Sequence, residues 1–408
     1  MQMIPSRPPP PGVTGARAWV GRNLFYGPVN TAVSLLVGTL LVYTIVQLAG
    51  WIFTGASWQP VWNNMKLLAV YRYPADLLWR PIVAVGVLLM LIGLSAGLGK
   101  RAGRGIIAAG VYWWFSSFAF LLTILAVAFW PSVRVPWLVT TVLALAGFQA
   151  GYRLPRLVRV QTWLWAVGLP TVAILVYGLG GHGPMELVRT VEWGGFLLTV
   201  VLAGFGIVVS FPLGIALALG RRSDLPAIKY FCIAVIELIR GAPLITWLFI
   251  ASLMVPLLLN VSPDAIPAIS RALVAVTLFS SAYMAENVRG GLQSVPRGQG
   301  EAARALGLSG WQMTRLIVLP QALRAVIPAI VGQAIGLFKD TSLVFIVGLF
   351  DFFEIGRRVI PSQPESLLYP GGVLLEISLF MAVIYWFFAY RMSIASRQLE
   401  TELGVGER

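Results

Sequence analysis

Residues 298–323 read GQGEAARALGLSGWQMTRLIVLPQAL, a polar stretch with Arg304 and Arg315 set between long apolar segments. Pro296 suits the first turn of a helix and Gly307 the left-handed position that closes one, so 297–306 is expected to be a short helix. Glu301 lies in its first half, where a carboxylate complements the positive end of the helix dipole. Ala302, Ala303 and Ala305 give that helix a face without bulk. Ser309 stands three residues before Gln312, a capping-box spacing, and the second helix is expected to end at Leu319, ahead of Pro320. Two short helices meeting at Gly307 make an angled, ordered element between two membrane segments.

The surrounding composition explains why that element is unusual. The 408 residues are 58% hydrophobic and 11% charged, with 15 tryptophans and a mean hydropathy of +0.82; soluble domains carry roughly 25% charged residues. Such a chain belongs in a bilayer. The net charge of +14 does not indicate nucleic acid, because the basic residues lie between apolar runs rather than on one soluble face. Cys232 and His182 are the only residues of their kinds, which rules out an intramolecular disulfide and a Cys/His zinc site.

Apolar runs of span length start near Val29 and recur at 81–98, 105–130, 136–152, 160–180, 194–220, 228–259, 269–289, 325–350 and 371–390, giving about ten transmembrane helices. The fold expected is all-α and integral to the membrane. With the N-terminus inside, two thirds of the 30 Lys and Arg residues fall in inner segments, which places both termini and the 298–323 loop in the cytoplasm. Residues 1–28, with SRPPPPG, read as a disordered cytoplasmic tail and 399–408 as a second tail. Spans in 29–186 hold almost no charge and read as a multi-span extension of about five helices. Those in 187–398 hold Glu237, Arg240, Glu286, Lys339, Asp340 and Glu376, and costly intramembrane charge marks this as the functional module.

The spacing Glu301-Ala302-Ala303, three residues, Gly307, nine residues, Ile317, one residue, Leu319-Pro320 resembles the EAA loop of ABC importer permeases. RGAPL (240–244) is similar to that family's RGTPL, and FKDTSL (338–343) to the LKDTSL of its polar amino-acid branch. The long N-terminal portion resembles the larger permease subunits of general L-amino acid importers. Ala242 replaces the usual Thr, and Trp247 stands where the branch often has Gln. The resemblance implies a type I importer core of five helices, a MetI-like transmembrane domain, in the bacterial inner membrane. It implies coupling to an ATPase through Glu301, Ala302, Ala303, Gly307, Ile317, Leu319 and Pro320. The implied partners are two copies of an ATP-binding cassette subunit, a second permease subunit and a periplasmic amino-acid-binding protein. ATP and Mg would belong to the cassette subunits, because this chain lacks a GxxxxGK[ST] loop; GLSAGLGKR (93–101) has the wrong glycine spacing and Arg101 in place of Ser or Thr.

A zwitterion crossing hydrocarbon needs partners for both charges. Glu237, Glu286 and Asp340 are candidates for its ammonium, and Arg240 and Lys339 for its carboxylate. The plainer reading pairs Arg240 with Glu237 and Arg289 with Glu286 at i,i+3, and Lys339 with a neighbouring helix, solely to hold helices together. Thr341 and Ser342 either line the path or bond backward to helix carbonyls. Trp113, Trp114, Trp163 and Trp165 read as lipid-facing or interfacial packing. Three alternatives are an ion-coupled secondary transporter, which should show paired repeats with interrupted helices, a membrane enzyme, for which no nucleophile or metal cluster is offered, and an importer permease for another small polar solute.

Overall fold

The computed structural model describes residues 15–101, 133–180, 183–262, 265–369 and 372–402. The expected span 105–130, Trp113, Trp114 and His182 lie outside them. The chain forms two compact units, Met1–Gln59 and Pro60–Arg408. In the first, α1 (Ala16–Asn23) precedes α2 (Pro28–Gly50). A helix therefore stands inside the expected disordered tail. Its sequence ARAWVGRN lies between Pro11 and Pro28 and contains no proline, and Asn23 Nδ2 donates to Trp19 O, so nothing there interrupts helical hydrogen bonding. No residue of α2 is buried within the chain. A helix apolar all round suits lipid.

The second unit holds α3 (Met65–Val70), α4 (Trp79–Arg101), α5 (Arg134–Arg153) and α6 (Gln161–Tyr177), then α7 (Gly195–Gly220) and α8 (Pro226–Arg240). There follow α9 (Leu244–Phe249), α10 (Val255–Leu258), α11 (Ala268–Ser294), α12 (Arg297–Ala305), α13 (Gly310–Met313), α14 (Leu319–Asp340), α15 (Phe352–Glu354) and α16 (Leu374–Glu402). Among the described residues seven helices are long and apolar enough to span, and eight if a bent pair is counted as one. Of the expected ten, 105–130 lies outside the described residues, and α6, with 17 residues, reaches about 25 Å. Helix α16 runs on to Glu402, so the start of the expected 399–408 tail continues a span.

The bent pair corrects one expectation. The run 228–259 is not a single span but α8 followed by the 244–258 segment, turned by 103°. Pro243, the residue ahead of α9, lacks an N–H and keeps Ala242 out of helical geometry. Periodicity alone could not show this, because both arms are apolar.

Close backbone approach organises α4 and α5. A β-carbon at Gly147 would lie 2.2 Å from Met90 O, and one at Gly151 2.2 Å from Leu94 O. This is the small-xxx-small packing by which membrane helices gain van der Waals contact. The end of α6 is held by Arg80, which is fully buried; its Nε donates to Leu175 O at 2.7 Å and its Nη1 to Glu186 O at 2.7 Å. Tyr73 adds a hydrogen bond to Val176 O. The apolar core between α7, α11 and α14 includes Leu198, Leu202, Val276 and Leu337.

Candidate functional site

The elbow forms as its local sequence dictates. Helix α12 closes with Leu308 N donating to Ala303 O at 3.1 Å, and Gly307 takes φ +78°, the left-handed conformation that glycine adopts at least cost. Ser309 Oγ accepts from Gln312 N at 3.3 Å while Gln312 Oε1 accepts from Ser309 N at 2.9 Å, a complete capping box. Glu301 and Ala302 are exposed and Ala303 is buried. Ile317, Leu319 and Pro320 do not end the second helix, as the sequence suggested. A wide π turn at Thr314–Val318 leads straight into α14, with Pro320 in its first turn. A proline there lacks only a donor that the wider turn does not require. The elbow is thus continuous with a membrane span.

Above the elbow, Glu286 gathers three guanidiniums from three helix ends. Arg289 Nε donates to its Oε1 at 2.8 Å. Arg240 Nη1 and Arg221 Nη1 lie 3.4 and 3.6 Å from its Oε2. The expected Arg289–Glu286 pair is present. Arg240, however, pairs with Glu286 rather than Glu237, and its guanidinium also sits 5.6 Å from the Tyr283 ring centre. Glu237 pairs instead with Arg221 at 2.9 Å. The packing of α8 against α11 brings Arg240 to Glu286, which the spacing within α8 does not reveal.

The remaining pathway candidates separate. Thr341 is fully buried and donates to Phe338 O at 2.8 Å, the backward bond typical of threonine in a helix. Lys339 is exposed and has no ion pair with a neighbouring helix among the described residues. Asp340 and Ser342 are half-buried. Trp163 is exposed, but Trp165 Nε1 donates to Ser95 Oγ at 3.0 Å and so faces protein.

A polar seam between α7, α11 and α14 escaped the sequence reading, which followed charge. Ser280 Oγ donates to Ser210 Oγ at 3.1 Å, Gln333 Nε2 to Ser280 Oγ at 3.0 Å, and Asn287 Nδ2 to Gln333 Oε1 at 2.8 Å. Neutral hydrogen bonds of this kind link membrane helices without the cost of buried charge. Amides and hydroxyls also match both ends of a zwitterion.

At the end opposite the elbow, Gly195 N donates to Phe350 O at 2.8 Å and Phe352 N to Thr199 Oγ1 at 3.3 Å. Asp351 caps α15 through Oδ1 to Glu354 N at 3.0 Å. Burial pushes its carboxyl up to about 6.

A helix elbow closed by glycine thus runs without a break into a membrane span, beside an ion-pair cluster. The chain belongs to the family described as binding-protein-dependent transport system inner membrane component, which matches residues 210–403, and within it to the amino-acid ABC importer permeases. It is 36% identical to a glutamate/glutamine/aspartate/asparagine transport system permease protein of Rhodobacter capsulatus, covering 98% of this chain and 97% of that protein. It is 46% identical to an inner membrane amino-acid ABC transporter permease protein of Escherichia coli, covering 59% of this chain and 64% of that one. A solved amino acid ABC transporter with histidines aligns with 51% of the chain and 91% of its own at 28% identity and TM-score 0.45. As a permease of this class, the chain works with ATPase and binding-protein partners.

Proposed function

We propose that this chain is the membrane path of an ATP-driven importer for L-amino acids of the acidic and amide type, delivered by a periplasmic binding protein. The near full-length likeness to the Rhodobacter capsulatus permease supports that substrate class. One of two ATPase subunits docks on the elbow through Glu301, Ala302, Ala303 and Gly307, and closure of the pair on ATP moves α14 through Ile317, Leu319 and Pro320. The chain itself supplies no catalysis and needs no cofactor; ATP and Mg bind to the ATPase. Residues 187–398 act as the permease module and pair with a second permease subunit, while 29–186 add a scaffold. Both termini and the elbow lie in the cytoplasm, in keeping with the positive-inside bias.

The observation that carries this reading is the elbow itself: two capped helices joined at a left-handed glycine and running on into a span. Along the path, Glu237, Arg240, Glu286, Lys339, Asp340, Thr341 and Ser342 were the candidates. Glu286 with its guanidiniums is best placed to open and close the inner end. Thr341 serves the packing. The test is to extract the tagged chain in mild detergent and identify co-purifying proteins by mass spectrometry. A stoichiometric ATPase with a second permease is expected; recovery of the chain alone would sink the proposal. Uptake of labelled glutamate, glutamine and an unrelated solute by the reconstituted complex then tests the substrate class.

A further inference from the structure

Beside the elbow lies a cavity of about 620 Å³ whose lining includes Arg221, Arg222, Arg289, Arg297, Arg304 and Glu301. It is assembled from the turn after α7, the end of α11 and one face of α12. Five guanidiniums face one carboxylate in its lining, an excess of four positive charges around an open cavity in which Arg222, Arg297, Arg304 and Glu301 are exposed. Two of the five are already committed, since Arg221 and Arg289 bind Glu286. Arg222, Arg297 and Arg304 have no ion pair among the described residues. Leu292, Val295 and Val318 supply an apolar part of the wall.

A concave site with one sign of charge over apolar walls concentrates counter-ions. The guanidinium fork matches phosphate oxygens two at a time. The cavity is poorly suited to the zwitterionic cargo, because Glu301 is the one carboxylate in its lining. We infer that this cavity is a binding site for a phosphate-bearing anion that ties the elbow to the turn between α7 and α8. Its volume lies within the roughly 300–1,000 Å³ of small-ligand sites. Two sources carry this chemistry: an anionic phospholipid headgroup of the cytoplasmic leaflet, where basic pockets between spans are known to hold such groups, and soluble phosphate. The lipid source rests on the cytoplasmic orientation proposed above, whereas the phosphate chemistry does not.

The test uses the full chain in a neutral detergent, with phosphatidylglycerol, phosphatidylcholine and inorganic phosphate as probes and native mass spectrometry as the readout. One phosphatidylglycerol should be retained at least tenfold more firmly than phosphatidylcholine, and inorganic phosphate should displace it. Binding of inorganic phosphate without preference between the lipids would keep the site and assign it the soluble source. The triple variant Arg222→Gln, Arg297→Gln, Arg304→Gln should lose retention of either anion. The corresponding triple Lys variant, which keeps charge without the fork, should retain part of it, and this guards against a Gln variant that merely misfolds. Equal retention of both lipids with no phosphate binding by the wild-type chain would overturn the inference. So would a Gln variant that binds anions normally, or one whose only change is weaker association with the ATPase, which would make the cavity a docking surface for an acidic protein segment. All these readouts are taken without transport, so they can fail independently of the importer reading.

Discussion

Replacing Gly307 separates backbone strain from charge at the elbow. A β-carbon there would meet no atom within 4 Å, so steric overlap inside the chain contributes nothing. What remains is the φ of +78°, which costs an L residue about 1–2 kcal/mol and costs asparagine and aspartate least. That is small beside the roughly 5–15 kcal/mol that keeps a protein folded, so every variant should insert at wild-type levels. The same strain shifts the local balance between the closed elbow and a frayed one by about 5–30-fold. Uptake of labelled glutamate, normalised to membrane abundance, should therefore fall in the order Asn, Ala, Val, the β-branched residue worst. Gly307→Asp should track Asn if geometry alone matters, and should fall further if the ATPase cleft rejects a charge. Wild-type uptake in both Ala and Val variants would refute the view that this elbow carries the coupling.

Asp351 offers a second test. Its carboxyl is held near 6 against about 3.9 unfolded, so the native state binds the proton more tightly. Stability should then decline as pH rises from about 4 through 6 and stay level above, by about 2–3 kcal/mol. Asp351→Asn keeps the α15 cap and should flatten that dependence in thermal unfolding followed by tryptophan fluorescence; an unchanged slope would refute the assignment. Gly147→Leu should force α4 and α5 apart, since even a first carbon lies 2.2 Å from Met90 O, and should lower the thermal midpoint measurably, whereas Gly204→Leu, in open space, should not. Glu286→Gln leaves three guanidiniums without their shared anion and should alter uptake more than Glu237→Gln, whose carboxylate is half exposed and holds only Arg221; equal effects would deny Glu286 a central place.

The elbow was legible in the sequence because its determinants are local. A glycine needed for φ > 0 and a Ser/Gln box three residues apart act within one turn. Pro320 misled for the same reason: local rules place a stop before it, but a π turn brings it into the first turn of α14 as a tolerated residue. The bend at Gly241–Pro243 had a visible proline signal that the apolar character of both arms masked. Partner choice was out of reach. Arg240 meets Glu286 instead of Glu237 because α8 packs against α11, and a helical-wheel argument sees one helix at a time. The Ser210–Ser280–Gln333–Asn287 seam lay hidden because serine and amide side chains do not stand out in an apolar run, although their hydrogen bonds join three helices.

The unbroken passage from the elbow into α14 has a mechanical consequence. Within the 38-residue helical segment Gly310–Val347, α14 has 22 residues and is about 33 Å long at 1.5 Å per residue, so a tilt of about 10° at one end sweeps the other through about 6 Å. A small push at the elbow thereby becomes a displacement comparable to one turn of a helix. Such a lever amplifies distance at the expense of force, so the far end must rest against contacts weak enough to yield.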